Sequence, residues 1–310
     1  MPAPLPNAAR RLDATAVNAA LHRLARTPQP PWLHTEVARR MAARLEIILL
    51  KPALVLDWWG ALGAGGPLLE AQYPKARRVV VEPTTEWLDH SRAAVHRPWW
   101  SADRWARPAV DVLAVSDSLP PGAELVWANM MLHAVVDPPA LFERWHQQLA
   151  VDGFVMFSCL GPGTLRELRS VYARLGWPAP TPGYIDMHDL GDMLVGAGFA
   201  DPVMDQETLT LQWDSPAALL AELHALGGNT APERHKGLRT PRWRERLERE
   251  LAALAGPDGK IGLSIEVAYG HAFKAATKLR PGQPTIVSLD DMRAMVRSSH
   301  GRAKGDLTLR

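Results

Sequence analysis

The chain has 310 residues, a formal net charge of +2 and 47% hydrophobic residues. This length allows one large α/β domain with an insertion or a tail, and the near-zero charge gives no overall electrostatic reason to expect a nucleic-acid partner. The single cysteine, Cys159, excludes an internal disulfide and a multi-cysteine metal site, and we predict no bound metal. No apolar run approaches the roughly 18 residues of a membrane span, and the N-terminus lacks a signal-peptide core, so we expect a cytoplasmic protein with no membrane partner.

The first half of the chain alternates between strand and helix patterns. Val37, Met41, Leu45 and Ile48 recur at helical spacing, which predicts a helix over 34–49 with one apolar face. Short apolar runs bounded by turn residues predict strands at 53–57, 79–82, 109–115, 124–130 and 153–159. The stretches between them predict helices at 84–95, 137–149 and 163–175. This alternation is typical of an α/β fold in which a parallel sheet has helices on both faces.

A change in composition at residue 176 marks a second segment. Residues 176–183 read Gly-Trp-Pro-Ala-Pro-Thr-Pro-Gly, which favours a stiff, extended linker. The pattern after this linker predicts helices at 188–197, 215–227 and 241–255 and strands at 203–212 and 261–270. We expect the last strand to close the sheet.

A glycine-rich turn follows the strand predicted at 53–57. Residues 57–66 read Asp-Trp-Trp-Gly-Ala-Leu-Gly-Ala-Gly-Gly, and the next strand ends in Glu82, 19 residues after Gly63. A strand, a glycine turn and an acid about 20 residues further on are typical of a Rossmann-like nucleotide site, where the acid accepts hydrogen bonds from ribose hydroxyls. The sequence therefore predicts a nucleotide-type cofactor near this turn.

Later runs are more specific than the glycine turn. Residues 161–169 read Gly-Pro-Gly-Thr-Leu-Arg-Glu-Leu-Arg, residues 186–194 read Asp-Met-His-Asp-Leu-Gly-Asp-Met-Leu, and residues 266–273 read Glu-Val-Ala-Tyr-Gly-His-Ala-Phe. With these runs the chain resembles, over roughly 33–275, the malonyl-acyl-carrier-protein O-methyltransferases of biotin synthesis.

The resemblance implies a Rossmann-like class I methyltransferase, an α/β fold with a seven-stranded sheet, helices on both faces and a small helical cap. We place the methyltransferase-like domain at 33–275 with the cap insertion at about 176–260, an N-terminal leader and helix at 1–32, and a flexible tail at 276–310. The implied cofactor is S-adenosylmethionine. The implied reaction methylates the free carboxyl of a malonyl thioester on acyl carrier protein or coenzyme A, so that fatty-acid enzymes can elongate it as an apolar chain.

The resemblance also implies a set of cofactor-binding residues, which we predict to be Asp57, Gly60, Gly63, Glu82, Asp117 and Asn129. Trp59 and Ala61 hold the places of the first two glycines of the family turn, and Val115 stands where an adenine-facing Asp is usual. Alternative interpretations remain for several of these residues. Asp57 and Asp117 are also explained as acids that stabilise turns, and the glycines as residues required only by the backbone conformation.

The implied chemistry needs no general base, because the attacking carboxylate is already ionised at neutral pH. Positioning and desolvation would supply most of the rate. We predict catalytic roles for His133, which follows the fourth strand, and for Arg166 and Arg169, since arginine can bind a carboxylate in bidentate fashion. Core or surface roles are the alternatives for each. The basic segment 234–244 either docks an acidic carrier protein or consists of solvated helix ends.

Two other functions remain open. A non-catalytic relative could keep the fold as a binding protein, with the Trp59 indole filling the cofactor space. The family is also similar to the mitochondrial complex I assembly factors that hydroxylate a protein arginine. The run from Glu266 to His271 favours the malonyl enzymes.

Overall fold

The computed structural model describes residues 12–27, 29–96 and 108–276. The strands are β1 (Leu54–Trp58), β2 (Arg77–Glu82), β3 (Val110–Ala114), β4 (Ala123–Ala128), β5 (Leu149–Leu160), β6 (Ala200–Trp213) and β7 (Ile261–Phe273). The described helices are α1 (Ala14–Leu24), α2 (Trp32–Leu45), α3 (Gly60–Gly63), α4 (Gly66–Gln72), α5 (Thr85–Val95), α6 (Pro138–Gln148), α7 (Arg166–Arg174), α8 (Met187–Gly196), α9 (Pro216–Ala225) and α10 (Pro241–Ala252), with a 3₁₀ turn at Leu132–Ala134. Residues 1–11 of the predicted leader and 277–310 of the predicted tail lie outside the described residues.

The strands form one seven-stranded sheet in the order β3-β2-β1-β4-β5-β7-β6. The first five strands in this order are parallel, whereas β7 runs antiparallel to both β5 and β6. The strand order reverses between β1 and β4. In open α/β sheets, ligands bind outside the carboxyl ends of the strands at such a reversal. The topology therefore predicts a ligand site among the loops that follow β1, β2 and β4.

Two apolar clusters cover the two faces of the sheet. Along β4, Val126 and Ala128 belong to one cluster, while Leu125 and Trp127 belong to the other, as the alternation of side chains along a strand requires. Helices α1, α6 and α8 contribute to the first cluster, and α2, α7, α9 and α10 to the second. The predicted arrangement, an α/β sheet with helices on both faces, is confirmed.

Side-chain caps explain where many of the described helices begin. Each of these caps accepts a hydrogen bond from a backbone N–H of the first turn, which otherwise lacks a partner. The capping residues are Asp13, Thr84, Asp137, Asp186, Ser215 and Thr240. Proline occupies the first turn of α6, α9 and α10, where its missing N–H costs nothing.

Several element boundaries differ from the prediction. The helix predicted at 34–49 ends at Leu45, and Ile47 and Leu49 beyond it are exposed. The helix predicted from 163 begins at Arg166, because the preceding residues form a turn in which Leu165 has a φ of 53°. The short helices α3 and α4 were not predicted, since a glycine-rich sequence favours a loop. Within the range 176–260, β6 belongs to the sheet, whereas α9 and α10 pack on the second cluster.

Gly270 provides a sharp test of packing between β5 and β7. A Cβ atom at Gly270 would lie 2.6 Å from Cε1 of Phe157, a fully buried ring that also contacts Phe142 and Trp145. We expect Gly270→Ala to lower the free energy of unfolding by about 1–3 kcal/mol, because that ring cannot move aside without strain. Urea denaturation measures the change.

The matched control lies on the same strand. A Cβ atom at Gly262 would meet only Cγ2 of Thr210 at 3.6 Å, an ordinary contact. Gly262→Ala should leave the stability unchanged or raise it by less than about 1 kcal/mol, since alanine restricts the unfolded chain more than glycine does. Equal effects of the two substitutions would show that Phe157 is not the constraint.

Candidate active site

The turn after β1 keeps a glycine-like conformation although its first glycine place holds a tryptophan. Trp59 has φ 55° and ψ 45°, the left-handed region that costs a non-glycine residue roughly 1–2 kcal/mol. Its N–H donates to the carbonyl of Val81 at 2.7 Å, and its side chain is buried in the first apolar cluster. At Gly60 the lack of a side chain is required, because a Cβ would lie 2.7 Å from Oδ2 of Asp57.

Asp57 is buried at the end of β1 beside one cation. Its Oδ2 accepts a hydrogen bond from Nη1 of Arg78 on β2 at 3.0 Å, and Nη2 of the same guanidinium bonds Oε1 of Glu70 at 3.0 Å. Burial raises the pKa of Asp57, and the Arg78 guanidinium opposes that rise. The other carboxylate oxygen, Oδ1, is buried without a hydrogen-bond partner in the described structure.

Glu82 is buried at the end of β2 and faces the same turn. Its Oε1 accepts hydrogen bonds from the N–H of Ala61 at 2.8 Å and from Oγ of Ser91 at 2.6 Å. Burial raises the pKa of Glu82 to about 8, the negative charge of Asp57 adds to the rise, and the two hydrogen bonds oppose it. Its Oε2 is buried without a hydrogen-bond partner among the described residues.

Asn129 follows β4 and contacts the same glycine turn. Its Nδ2 donates to the carbonyl of Gly63 at 2.6 Å and to that of His34 at 2.8 Å, and its Oδ1 accepts from Ser158 Oγ at 2.7 Å. The structure thus brings together five of the six predicted cofactor residues, with Asn129 directed at the turn itself.

Asp117 is the sixth predicted cofactor residue, and it lies in an exposed turn after β3. Its Oδ2 accepts a hydrogen bond from the N–H of Ala114 at 2.8 Å. That bond is the one expected of an acid that stabilises a turn. None of the contacts described here joins Asp117 to the cluster around Glu82.

A small cavity of about 80 Å³ lies next to the glycine turn. Its wall includes Leu62 of α3, Met130 after β4 and His133 of the 3₁₀ turn, together with residues of α1 and of 226–230. The His133 ring packs edge-on against Tyr184, with the ring centroids 6.4 Å apart. Small-molecule pockets usually measure roughly 300–1,000 Å³, so a ligand would have to widen this cavity.

The two predicted catalytic arginines lie on α7, and neither lines this cavity. Arg166 is exposed, and its Nε bonds Oε1 of Glu167 at 3.1 Å. Arg169 donates to the backbone carbonyl of Pro162. These contacts explain both side chains locally, so their catalytic role stays a prediction that the described contacts do not support.

The run that carries the family resemblance connects the loop before α7 to β7. Oγ1 of Thr164 donates to the carbonyl of Glu266 and accepts from its N–H, at 3.0 and 3.1 Å. Glu167 accepts from the N–H and from Oγ of Ser264. A Cβ at Gly163 would overlap the Glu266 carboxylate. The motif therefore has a structural explanation that its sequence does not reveal.

The described part of the chain contains no group of three or more His, Cys, Asp or Glu side chains that could hold a metal ion. No helix in the described ranges has the length and apolar character needed to cross a bilayer.

Comparison with known proteins identifies the family. A malonyl-[acyl-carrier protein] O-methyltransferase of Gallionella capsiferriformans is 37% identical over 259 residues, which cover 82% of this chain and 88% of the relative. A protein of the same name from Laribacter hongkongensis is 36% identical over 273 residues, covering 86% and 92%. This chain belongs to the malonyl-[acyl-carrier protein] O-methyltransferase family. The predicted family and the predicted class, an O-methyltransferase that uses S-adenosylmethionine, are confirmed.

Solved structures agree on the fold. YcgJ from Bacillus subtilis superposes with a TM-score of 0.53 at 12% identity and covers 78% of this chain and 99% of its own. BH2331 from Bacillus halodurans gives 0.52 at 12% identity, covering 77% and 100%. No protein-family model matches the chain. The class I methyltransferase fold is confirmed, while the roles of single residues stay predictions.

The two buried acids and the glycine turn fit the chemistry of S-adenosylmethionine. Asp57 and Glu82 each retain one buried carboxylate oxygen without a partner in the described structure. Such oxygens can accept hydrogen bonds from ribose hydroxyls and from an ammonium group. Glu82 would hold the ribose, and the turn from Trp59 to Gly63 would lie against the methionine part. The bound cofactor supplies an electrophilic methyl group.

The buried pair of Asp57 and Arg78 generates a stability prediction. Removing the cation by Arg78→Met leaves a buried carboxylate uncompensated, which we expect to cost about 3–5 kcal/mol of unfolding free energy. Asp57→Asn in the Arg78→Met background removes the stranded charge and should restore at least about 1 kcal/mol. Thermal or urea unfolding of both single variants and the double variant measures the coupling. Additive losses would show that the pair does not interact.

Proposed function

We propose that this chain transfers the methyl group of S-adenosylmethionine to the free carboxyl of a malonyl group on acyl carrier protein, an early step of biotin synthesis. The observation that carries the proposal is the similarity, at 30–37% identity over most of the chain, to relatives named malonyl-[acyl-carrier protein] O-methyltransferase. The buried acids at the ends of β1 and β2 support it, because they lie where this fold binds its ligand.

The chemistry asks the protein chiefly for placement and for exclusion of water. An oxygen of the malonyl carboxylate forms a bond to the methyl carbon as the bond from that carbon to sulfur breaks, so no proton has to be moved. The cavity beside the glycine turn is lined mainly by apolar side chains, and His34, His133, Tyr184 and Thr230 add polar groups. A largely dry wall with few polar groups suits a carboxylate that must lose water before it reacts.

The basic segment supports docking of an acidic carrier protein on this chain. Arg242, Arg244 and Arg246 are exposed on α10, and the guanidinium of Arg239 lies 4.3 Å from the ring centroid of Trp243. Arg234 and Arg244 are ion-paired: Nη1 of Arg234 bonds Oδ2 of Asp13 at 2.7 Å, and Nε of Arg244 bonds Oε1 of Glu248 at 2.8 Å. Complementary charge raises the rate at which an acidic protein docks.

The first test of the function is the reaction itself. Incubation with S-adenosylmethionine and malonyl-acyl carrier protein should yield a product that has gained one methyl group, as read by mass spectrometry of the intact carrier. Malonyl-coenzyme A in parallel tests the carrier. A gain of oxygen on a protein arginine would point to a hydroxylase instead. A folded protein that binds no S-adenosylhomocysteine would point to a non-catalytic binding protein.

His133 offers a matched pair of variants for that assay. We expect His133→Leu to lower kcat/KM for the malonyl substrate about tenfold or more, because the wall would lose a polar group near the carboxylate. His133→Gln keeps an amide of similar reach and should retain most of the activity. Wild-type activity in both variants would show that His133 does not contribute to the site.

The raised pKa of Glu82 predicts how cofactor affinity depends on pH. Ribose hydroxyls donate to the ionised carboxylate, so binding requires loss of the proton that Glu82 holds below a pKa of about 8. Affinity for S-adenosylhomocysteine should therefore rise about tenfold from pH 7 to pH 9 and level off above the pKa. Calorimetric titration measures it. Glu82→Gln, which cannot ionise, should bind weakly and without this pH dependence; an unchanged pH profile in that variant would contradict the assignment.

A further inference from the structure

The last carbonyls of the short helix α3 accept hydrogen bonds from side chains outside the turn. Nδ1 of His34, on α2, lies 3.0 Å from the carbonyl oxygen of Leu62, and Nδ2 of Asn129 donates to that of Gly63 at 2.6 Å. Carbonyls at a helix C-terminus have no partner within the helix, and a helix of four residues has little stability of its own. Its placement therefore depends on these outside contacts.

Ser158 on β5 fixes the direction of the Asn129 amide. Its Oγ donates to Oδ1 of Asn129 at 2.7 Å and accepts from the N–H of Met130 at 3.0 Å. With its oxygen held by Ser158, Asn129 directs its NH₂ group to the carbonyls of Gly63 and His34. Both Asn129 and Ser158 are fully buried, so these bonds do not compete with water.

His34 acts in this network as a neutral donor. Burial lowers its pKa to about 4, so the imidazole carries no charge at neutral pH. A carbonyl oxygen can only accept, which places the ring hydrogen on Nδ1, facing Leu62. The bond is thus present over the whole neutral range.

We propose that His34, Asn129 and Ser158 are positioning residues that hold the glycine turn in its cofactor-binding conformation. The inference rests on the proposed use of S-adenosylmethionine. Glu82 fixes the turn through the N–H of Ala61, and the three residues fix its carbonyl end from α2, from the segment after β4 and from β5. This chain needs such support because Trp59 and Ala61 replace glycines, and Trp59 holds a strained backbone. Asn129, predicted to bind the cofactor, acts through the turn instead.

The test compares two substitutions of His34. Nδ2 of asparagine can take the place of Nδ1 of histidine, so His34→Asn keeps the donor, whereas His34→Phe keeps the ring shape and loses it. We expect His34→Phe to weaken S-adenosylhomocysteine binding about tenfold, as loss of one buried hydrogen bond would, and to raise KM for the cofactor more than it lowers kcat. His34→Asn should bind within about threefold of the wild type.

Hydrogen exchange gives a second readout that does not require the cofactor. Amides of 59–66 should exchange faster in His34→Phe and in Ser158→Ala than in the wild type, while those of β6 and β7 stay protected. Unchanged affinity and unchanged exchange in folded His34→Phe would overturn the proposal. So would a general loss of stability with normal affinity of the folded fraction, which indicates a structural role only. If the wild type itself binds no S-adenosylhomocysteine, the cofactor assignment fails, and exchange at the turn still decides whether these residues hold it.

Discussion

The carboxyl groups of Asp57 and Glu82 are buried at the carboxyl ends of adjacent parallel strands, and the cation Arg78 lies beside Asp57. Burying an ionised carboxylate is expensive unless it is paired, so burial raises the pKa of both acids, and for Asp57 the Arg78 guanidinium opposes that rise. Asp57 has a guanidinium at 3.0 Å, whereas the donors to Glu82 among the described residues are neutral and its pKa is raised to about 8. Buried acids with unused acceptor oxygens contribute little to folding, and the proposed binding of the cofactor would explain their presence at this edge of the sheet.

The glycine turn shows that a left-handed backbone conformation can form at a residue other than glycine. Trp59 adopts the left-handed geometry of a glycine, and burial of its large apolar side chain offsets the roughly 1–2 kcal/mol of backbone strain. Gly60 cannot change in the same way, because Asp57 occupies the space that a side chain would need. The requirement for glycine in this turn is therefore local, and the altered pattern does not abolish the turn.

How far the sequence could predict the site depends on whether a residue acts through the backbone or through a distant partner. Glu82 and Gly60 were predictable, since spacing along the chain places them at strand ends. Arg78 and Ser158 were not, because their partners are distant in sequence and only the sheet brings them together. The strongest family motif is a different case: its arginines suggested chemistry, which stays a prediction, while the contacts of Thr164 and Glu167 that connect a loop to β7 could not be predicted from sequence.

The two walls of the small cavity are held by different kinds of interaction. On one side, His34 and Asn129 are buried in a network of satisfied hydrogen bonds, which are strong where water is absent. On the other side, α1 buries Val17, Leu21 and Leu24 in the first apolar cluster, and the partly exposed ion pair of Asp13 with Arg234 joins it to the segment after α9. Exposed pairs contribute about 1 kcal/mol or less. A ligand that widened the cavity on the α1 side would separate apolar contacts of the first cluster, whereas one that widened it on the other side would break the buried hydrogen bonds that hold the glycine turn.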